Sequence, residues 1–249
     1  MSKLQVRDLC FSFDNGPVLS GINFTAESGT LVSILGPSGC GKSTLLNILA
    51  GLLPGASGQI LLDGQLLAGV SGHFAYMPQE DLLMPWRTVL DNVCLPLLLR
   101  RGEQRMDKAS AREYAAGYFK QFGLQGYENK YPDQLSGGMR QRAAFLRTVL
   151  SDADVLLLDE PFGALDAITR QRLQRWLAEL RRRLGRTIVL VTHDIDEAVF
   201  LSDRIYVFSQ RPARIVLQVD VPTPAAERDW QWLLGTGEIK QQVHQALEE

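Results

Sequence analysis

Nine residues near the start of the chain, Gly36-Pro37-Ser38-Gly39-Cys40-Gly41-Lys42-Ser43-Thr44, combine glycines, one lysine and hydroxyls at the spacing suited to gripping a phosphate. The glycines allow the backbone to curl so that its N–H groups converge on anionic oxygens, and the helix expected to follow points its positive end at the same place. Lys42 adds a point charge for the outer phosphates, and the Ser43 hydroxyl is placed to ligate Mg²⁺. A second constellation lies far downstream: Val155-Leu156-Leu157-Leu158-Asp159-Glu160 is an apolar run that delivers two carboxylates where it ends. Asp159 is suited to hold a metal ion through its water shell. Glu160 is suited to orient or deprotonate an attacking water, a general-base role worth ~10²–10⁴ in rate. A third segment, Leu135-Ser136-Gly137-Gly138-Met139-Arg140-Gln141-Arg142, puts a hydroxyl and two glycines at the start of a predicted helix, which makes a second anion cradle.

These groups have to be carried by a framework, and the patterning predicts an α/β one. Leu4 to Leu9 and Ile22 to Ala26 alternate apolar and polar residues around an Asn15-Gly16-Pro17 turn, as an antiparallel edge does. Thr30 to Leu35 reads as a strand that runs through the glycines into a helix over Lys42 to Ala50. Val155 to Leu158 and Ile188 to Val191 are near-continuous apolar runs, each followed by a helical pattern, which marks parallel strands buried on both faces. Between the halves, about Leu83 to Ala153 is mostly helical in pattern, including Asp107 to Phe122 and Gly137 to Leu150. The expected organisation is one domain over 1–249. Residues 1–82 and 154–220 form an α/β core with an antiparallel β edge, 83–153 an inserted helical lobe, and 221–249 a helical tail.

The bulk numbers exclude several classes. Lys plus Arg total 26 and Asp plus Glu 28, so no positive field draws the chain onto nucleic acid. Cys10, Cys40 and Cys94 are scattered and lack metal-ligand spacing, which fits reduced, packed thiols. The start, Met1 to Gln5, lacks a signal-peptide pattern, and no stretch approaches the ~20 apolar residues that cross a bilayer. Arg181-Arg182-Arg183 reads as a solvated helix face, and Trp230 and Trp232 as side chains packed on the core.

The phosphate loop alone leaves kinases and other nucleotide hydrolases open. The segment Leu135 to Arg142, however, resembles the signature of ABC ATPases, and the resemblance spans residues 2 to about 215. It implies a P-loop NTPase core of the RecA-like kind, with a mainly parallel sheet, an N-terminal antiparallel β subdomain and an inserted α-helical subdomain. It implies ATP and Mg²⁺ as cofactors, with ATP clasped between the loop at 36–44 of one copy and Ser136, Gly137 and Gly138 of another, so that nucleotide closes a dimer. Phe13 matches the aromatic that stacks on adenine, and Gln79 the glutamine that contacts Mg²⁺ and the attacking water. His193 matches the histidine that reaches the γ-phosphate, and Asp166, in Ala164-Leu165-Asp166, the loop that meets the opposite subunit. Met139 departs from the glutamine common there and leaves the backbone cradle intact.

Met84 to Val93, the Leu-Ser-Gly-Gly-Met signature, Asp194 to Leu201 and Arg211-Pro212 together resemble the nitrate, sulfonate and taurine importer branch, which includes relatives handling pyrimidine precursors. The resemblance implies a separate membrane permease, an extracytoplasmic solute-binding protein and a peripheral place on the cytoplasmic membrane face. A soluble ABC ATPase without a membrane partner, an exporter and a small-molecule kinase stay open at this point.

Overall fold

The computed structural model describes residues 2–67, 72–100, 105–224 and 227–248, with the side chains of Ser2, Arg182 and Leu184 also set aside. Met1 and the middle side chain of the basic run at 181–183 therefore lie outside the described residues. Two sheets organise the chain. The first is antiparallel, in the order β2-β1-β4-β5, from β1 (Ser2–Phe13), β2 (Gly16–Glu27), β4 (Ser57–Leu62) and β5 (Gln65–Leu66). The second has six strands in the order β10-β9-β3-β8-β7-β6, from β3 (Leu31–Leu35), β6 (Phe74–Met77), β7 (Val155–Asp159), β8 (Thr187–Val191), β9 (Arg204–Phe208) and β10 (Ile215–Asp220). All its neighbours are parallel except the edge pair β9 and β10. The antiparallel strands β1 and β2 outrun the segments their alternation predicts.

The apolar runs explain the sheet. Every residue of β3, β7 and β8 is buried, because helices or the other sheet cover both faces. Side chains alternate between two cores: Leu156, Leu158, Ile188 and Leu190 join one, whereas Val155, Leu157, Val189 and Val191 join the other. The first core holds α2 (Val89–Val93), α3 (Leu95–Leu98), α4 (Lys108–Phe119), α5 (Gly137–Val149), α6 (Ala167–Leu184) and α7 (Ile195–Leu201); the second holds α1 (Lys42–Leu49) and the antiparallel sheet. An edge-to-face cluster of Phe122, Phe145, Phe162 and Trp176 ties α5 and α6 to the loop after β7.

Two short helices close the described chain, α8 (Trp230–Leu234) and α9 (Gly237–Glu248). Trp230 stacks on Phe200 of α7 with ring centroids 4.7 Å apart and planes 6° from parallel, and Trp232 Nε1 donates to Thr223 Oγ1 at 3.0 Å. Buried Arg228 donates to the carbonyls of Val199, Phe200 and Ser202, which satisfies the end of α7. Among the described residues no helix is long and apolar enough to cross a membrane.

Tyr206 locks the sheets together: its hydroxyl donates to Thr25 O at 3.0 Å and accepts from Thr25 N at 3.1 Å, while the ring is 1% exposed. Tyr206→Phe leaves that N–H and carbonyl without their partner. A loss of about 1–3 kcal/mol is expected, read as a lower denaturation midpoint at unchanged m-value.

Candidate functional site

The parallel strands β3, β6, β7 and β8 all end on one edge of the sheet, and the loops that leave them carry most of the residues singled out in the sequence. From β3 the chain enters the Gly36–Thr44 loop. Gly41, at φ +125°, starts α1, and a Cβ there would meet Val18 Cγ1 at 2.9 Å. Only glycine fits both the backbone angle and that space. No side chain caps α1 and its first turn holds no acid, so its N–H groups remain open to an anion. Lys42 is 7% exposed, and its ammonium donates to Gly36 O at 2.7 Å and Pro37 O at 2.8 Å. These carbonyls hold the charge beside the loop. Cys40 is buried, and that burial pushes its thiol up, so it serves as packing beneath the loop.

β7 delivers Asp159 at 2% exposure. Burial pushes its carboxyl up, against hydrogen bonds from Ser43 and Tyr76 and the charge of Lys42. Glu160, one residue on, takes φ +47°, a left-handed backbone that costs an ordinary residue about 1–2 kcal/mol. Three bonds hold it: Glu160 N donates to Val191 O at 2.9 Å, and Glu160 O accepts from Gly163 N at 3.2 Å and Gln141 Nε2 at 2.9 Å. Its carboxylate Oε1 stands 3.3 Å from His193 Nδ1, and His193 is largely exposed just beyond β8. The structure thus places Lys42, Ser43, Asp159, Glu160 and His193 on one edge. An oxygen set of Ser43 and the buried Asp159 carboxyl suits a hard cation such as Mg²⁺.

The remaining predicted residues lie around this edge. Gln79 is exposed, two residues past the end of β6. Phe13 ends β1 half-exposed, edge-on to Phe11 at 4.9 Å. Ser136 caps α5 by accepting from Met139 N at 3.3 Å, with Gly137 open beside it. A Cβ on Gly138 would meet Ala164 O at 3.0 Å, so this glycine lets α5 press on the 164–166 loop. Asp166 caps α6 by accepting from Thr169 N at 3.0 Å, a bond that holds its carboxyl below the usual range. Among the described residues no hydrogen bond joins 136–138 to 36–44. The two cradles do not meet through hydrogen bonds within one chain.

Sequence reasoning missed the residues that hold this arrangement. Arg140 Nε donates to Asp81 Oδ2 at 2.9 Å, and Arg147 donates to the carbonyls of Asp81 and Leu82 at 2.7 and 2.8 Å, so α5 grips the turn just after Gln79. Thr192 donates to Glu197 Oε2 at 2.6 Å and accepts from Asp194 N at 3.1 Å, which fastens the His193 turn to α7. Nothing in local patterning signals these partners, because each donor and acceptor looks ordinary until the chain is folded.

Burial pushes the Glu197 carboxyl up to about 7, against the hydrogen bond from Thr192. A folded value above the unfolded one disfavours the native state once the unfolded chain ionises. The cost is absent below pH ~4, grows as pH rises toward 7 and is complete above it. Glu197→Gln is therefore expected to raise the melting temperature at pH 8 relative to the unmodified chain, with the gap closing toward pH 4.

Comparison with known proteins agrees with this fold. The ABC transporter family profile matches residues 19–163. The formylaminopyrimidine import ATP-binding protein ThiZ of Halalkalibacterium halodurans is 44% identical over 220 residues, 88% of this chain and 84% of that protein. The taurine import ATP-binding protein TauB of Escherichia coli O157:H7 is 44% identical over 213 residues, 86% and 82% of the two chains. Among solved structures, a dimeric ATP-binding cassette in a post-hydrolysis state with ADP and Pi superposes with a TM-score of 0.80 at 29% identity, covering 88% of this chain and 99% of that one. The cbiO1 subunit of the Clostridium perfringens transporter complex cbiONQ gives 0.74 at 26% identity, covering 98% and 99%. With a phosphate loop, an acidic strand end and a signature helix assembled as described, the chain belongs to the ABC transporter family, as an ATP-binding and ATP-hydrolysing subunit.

Proposed function

We propose that the chain is the motor of an importer, in which two copies close around ATP and drive a separate permease. The observation that carries this reading is the edge where Glu160 and His193 stand 3.3 Å apart beside the uncapped start of α1. In this reading the N–H groups of 36–44 and Lys42 hold the phosphates, and Phe13 offers its exposed face to the adenine. Ser43, Asp159 and Gln79 would hold Mg²⁺, which would supply neutralisation of phosphate charge. Glu160 takes a proton from the attacking water, and His193 stabilises charge on the γ-phosphate while its ring stays next to Glu160. Ser136, Gly137 and Gly138 of the second copy complete the site, with the 164–166 loop along the seam. Residues 1–82 and 154–220 act as core, 83–153 as an inserted lobe and 221–249 as a tail.

The named relatives, a formylaminopyrimidine and a taurine import subunit, favour import. In this reading the solute is small, of the taurine, sulfonate, nitrate or pyrimidine-precursor kind, and an extracytoplasmic binding protein delivers it. The permease then docks near Gln79 and the 84–93 segment, and the exposure of Leu82 (60%) and Trp86 (73%) supports a docking surface there. The chain then sits on the cytoplasmic membrane face. Co-purification from membranes with a hydrophobic partner supports this, whereas recovery only from the soluble fraction with nucleic acid supports a soluble ATPase.

Glu160→Gln keeps the shape of the side chain and removes its basicity. Turnover is expected to fall at least ~10²-fold with nucleotide affinity retained, and an ATP-bound dimer should accumulate on size-exclusion chromatography. Normal turnover in this variant removes Glu160 from the role.

A further inference from the structure

Gln141 lies on the first turns of α5, is 7% exposed, and commits both ends of its amide to a different segment of the chain. Nε2 donates to Glu160 O at 2.9 Å, and Oε1 accepts from Ala164 N at 2.9 Å. The two contacts bracket residues 160–164, the start of the loop that runs from the left-handed Glu160 to Asp166. A strained backbone of this kind persists only where its surroundings over-determine it. An amide is suited to the task, because one planar group both donates and accepts without a charge. The contact is reinforced on either side, since Gly138 lets α5 approach Ala164 O and Phe145 packs edge-on against Phe162.

The same helix grips the 81–82 turn through Arg140 and Arg147. Thus α5 carries the signature residues at its start, the amide that holds Glu160, and the guanidiniums of Arg140 and Arg147 that hold the segment after Gln79. We propose that Gln141 is a positioning residue for hydrolysis, whose amide fixes the Glu160 backbone and with it the place of the carboxylate relative to the signature helix. This inference rests on Glu160 acting as the base. Gln141 touches neither nucleotide nor water in it. A shift of about 1 Å in such a group costs up to ~10²-fold in rate while leaving substrate binding alone.

The test compares the unmodified chain with Gln141→Leu, Gln141→Glu and, as a control, Glu160→Gln, each assayed with MgATP. Gln141→Leu removes both bonds. Gln141→Glu keeps an acceptor for Ala164 N but sets an oxygen against Glu160 O, so it breaks the Glu160 arm selectively. Both are expected to lower kcat about 10- to 100-fold, with KM for ATP within about threefold of the unmodified chain and ATP-dependent dimerisation retained. Unchanged kcat in both variants beside an inactive Glu160→Gln overturns the role of Gln141 and leaves that of Glu160 standing. A rise in KM at constant kcat also overturns it. Should Gln141→Leu fail to fold, Gln141→Glu decides the question alone by the same split. Normal turnover in Glu160→Gln overturns both assignments together.

Discussion

Five consecutive buried residues, Val155 to Asp159, force β7 into the middle of the sheet, and the carboxylate that ends the run has to be carried in with them. That burial penalises its charge, so the surroundings must answer it: Ser43 and Tyr76 donate to it, and Lys42 stands near. Much of the architecture follows from meeting this demand. The Gly36–Thr44 loop has to return to the same edge from β3, β6 has to bring Tyr76 alongside, and β8 has to offer Val191 O to the next residue, Glu160. A parallel sheet meets all of these at once, since its strand ends share one side.

How much of this was readable before folding depends on the distance over which each instruction acts. Gly36 to Ser43 specifies its own conformation, and Val155 to Leu158 specifies its own burial, so the loop, the central strands and the acidic pair were legible locally. Ser136 as a helix cap was legible for the same reason. The segments β4 and β6 were not singled out, because half of β4 is exposed and β6 is largely half-buried and neither shows a clean alternation. Gln141 was quoted only as part of a motif. Its partners lie 19 and 23 residues away, and no periodicity points across such a gap. Asp166 was read for a meeting of subunits, yet its carboxylate also starts α6, a role that depends on where that helix begins.

The tail shows the same lesson in another form. Trp230 and Trp232 suggested packing, and the stacking on Phe200 gives that packing a location. Arg228, which patterning passed over, is the more consequential residue, since it closes the carbonyl end of the helix that follows His193. Burial lowers its guanidinium to about 10, so it stays charged at neutral pH while serving as a cap. The order of the His193 turn therefore depends on residues at both ends of α7.

Leu82 holds a positive φ of +43° with its side chain largely in solvent, and the arginine grip on its carbonyl keeps it there. A turn held in this way has given up its backbone freedom before anything arrives, while the leucine side chain stays in solvent. A partner docked there, as in the proposed complex, would meet a backbone already ordered, which lowers the entropic cost of contact on this side and favours a rigid-body encounter over coupled folding.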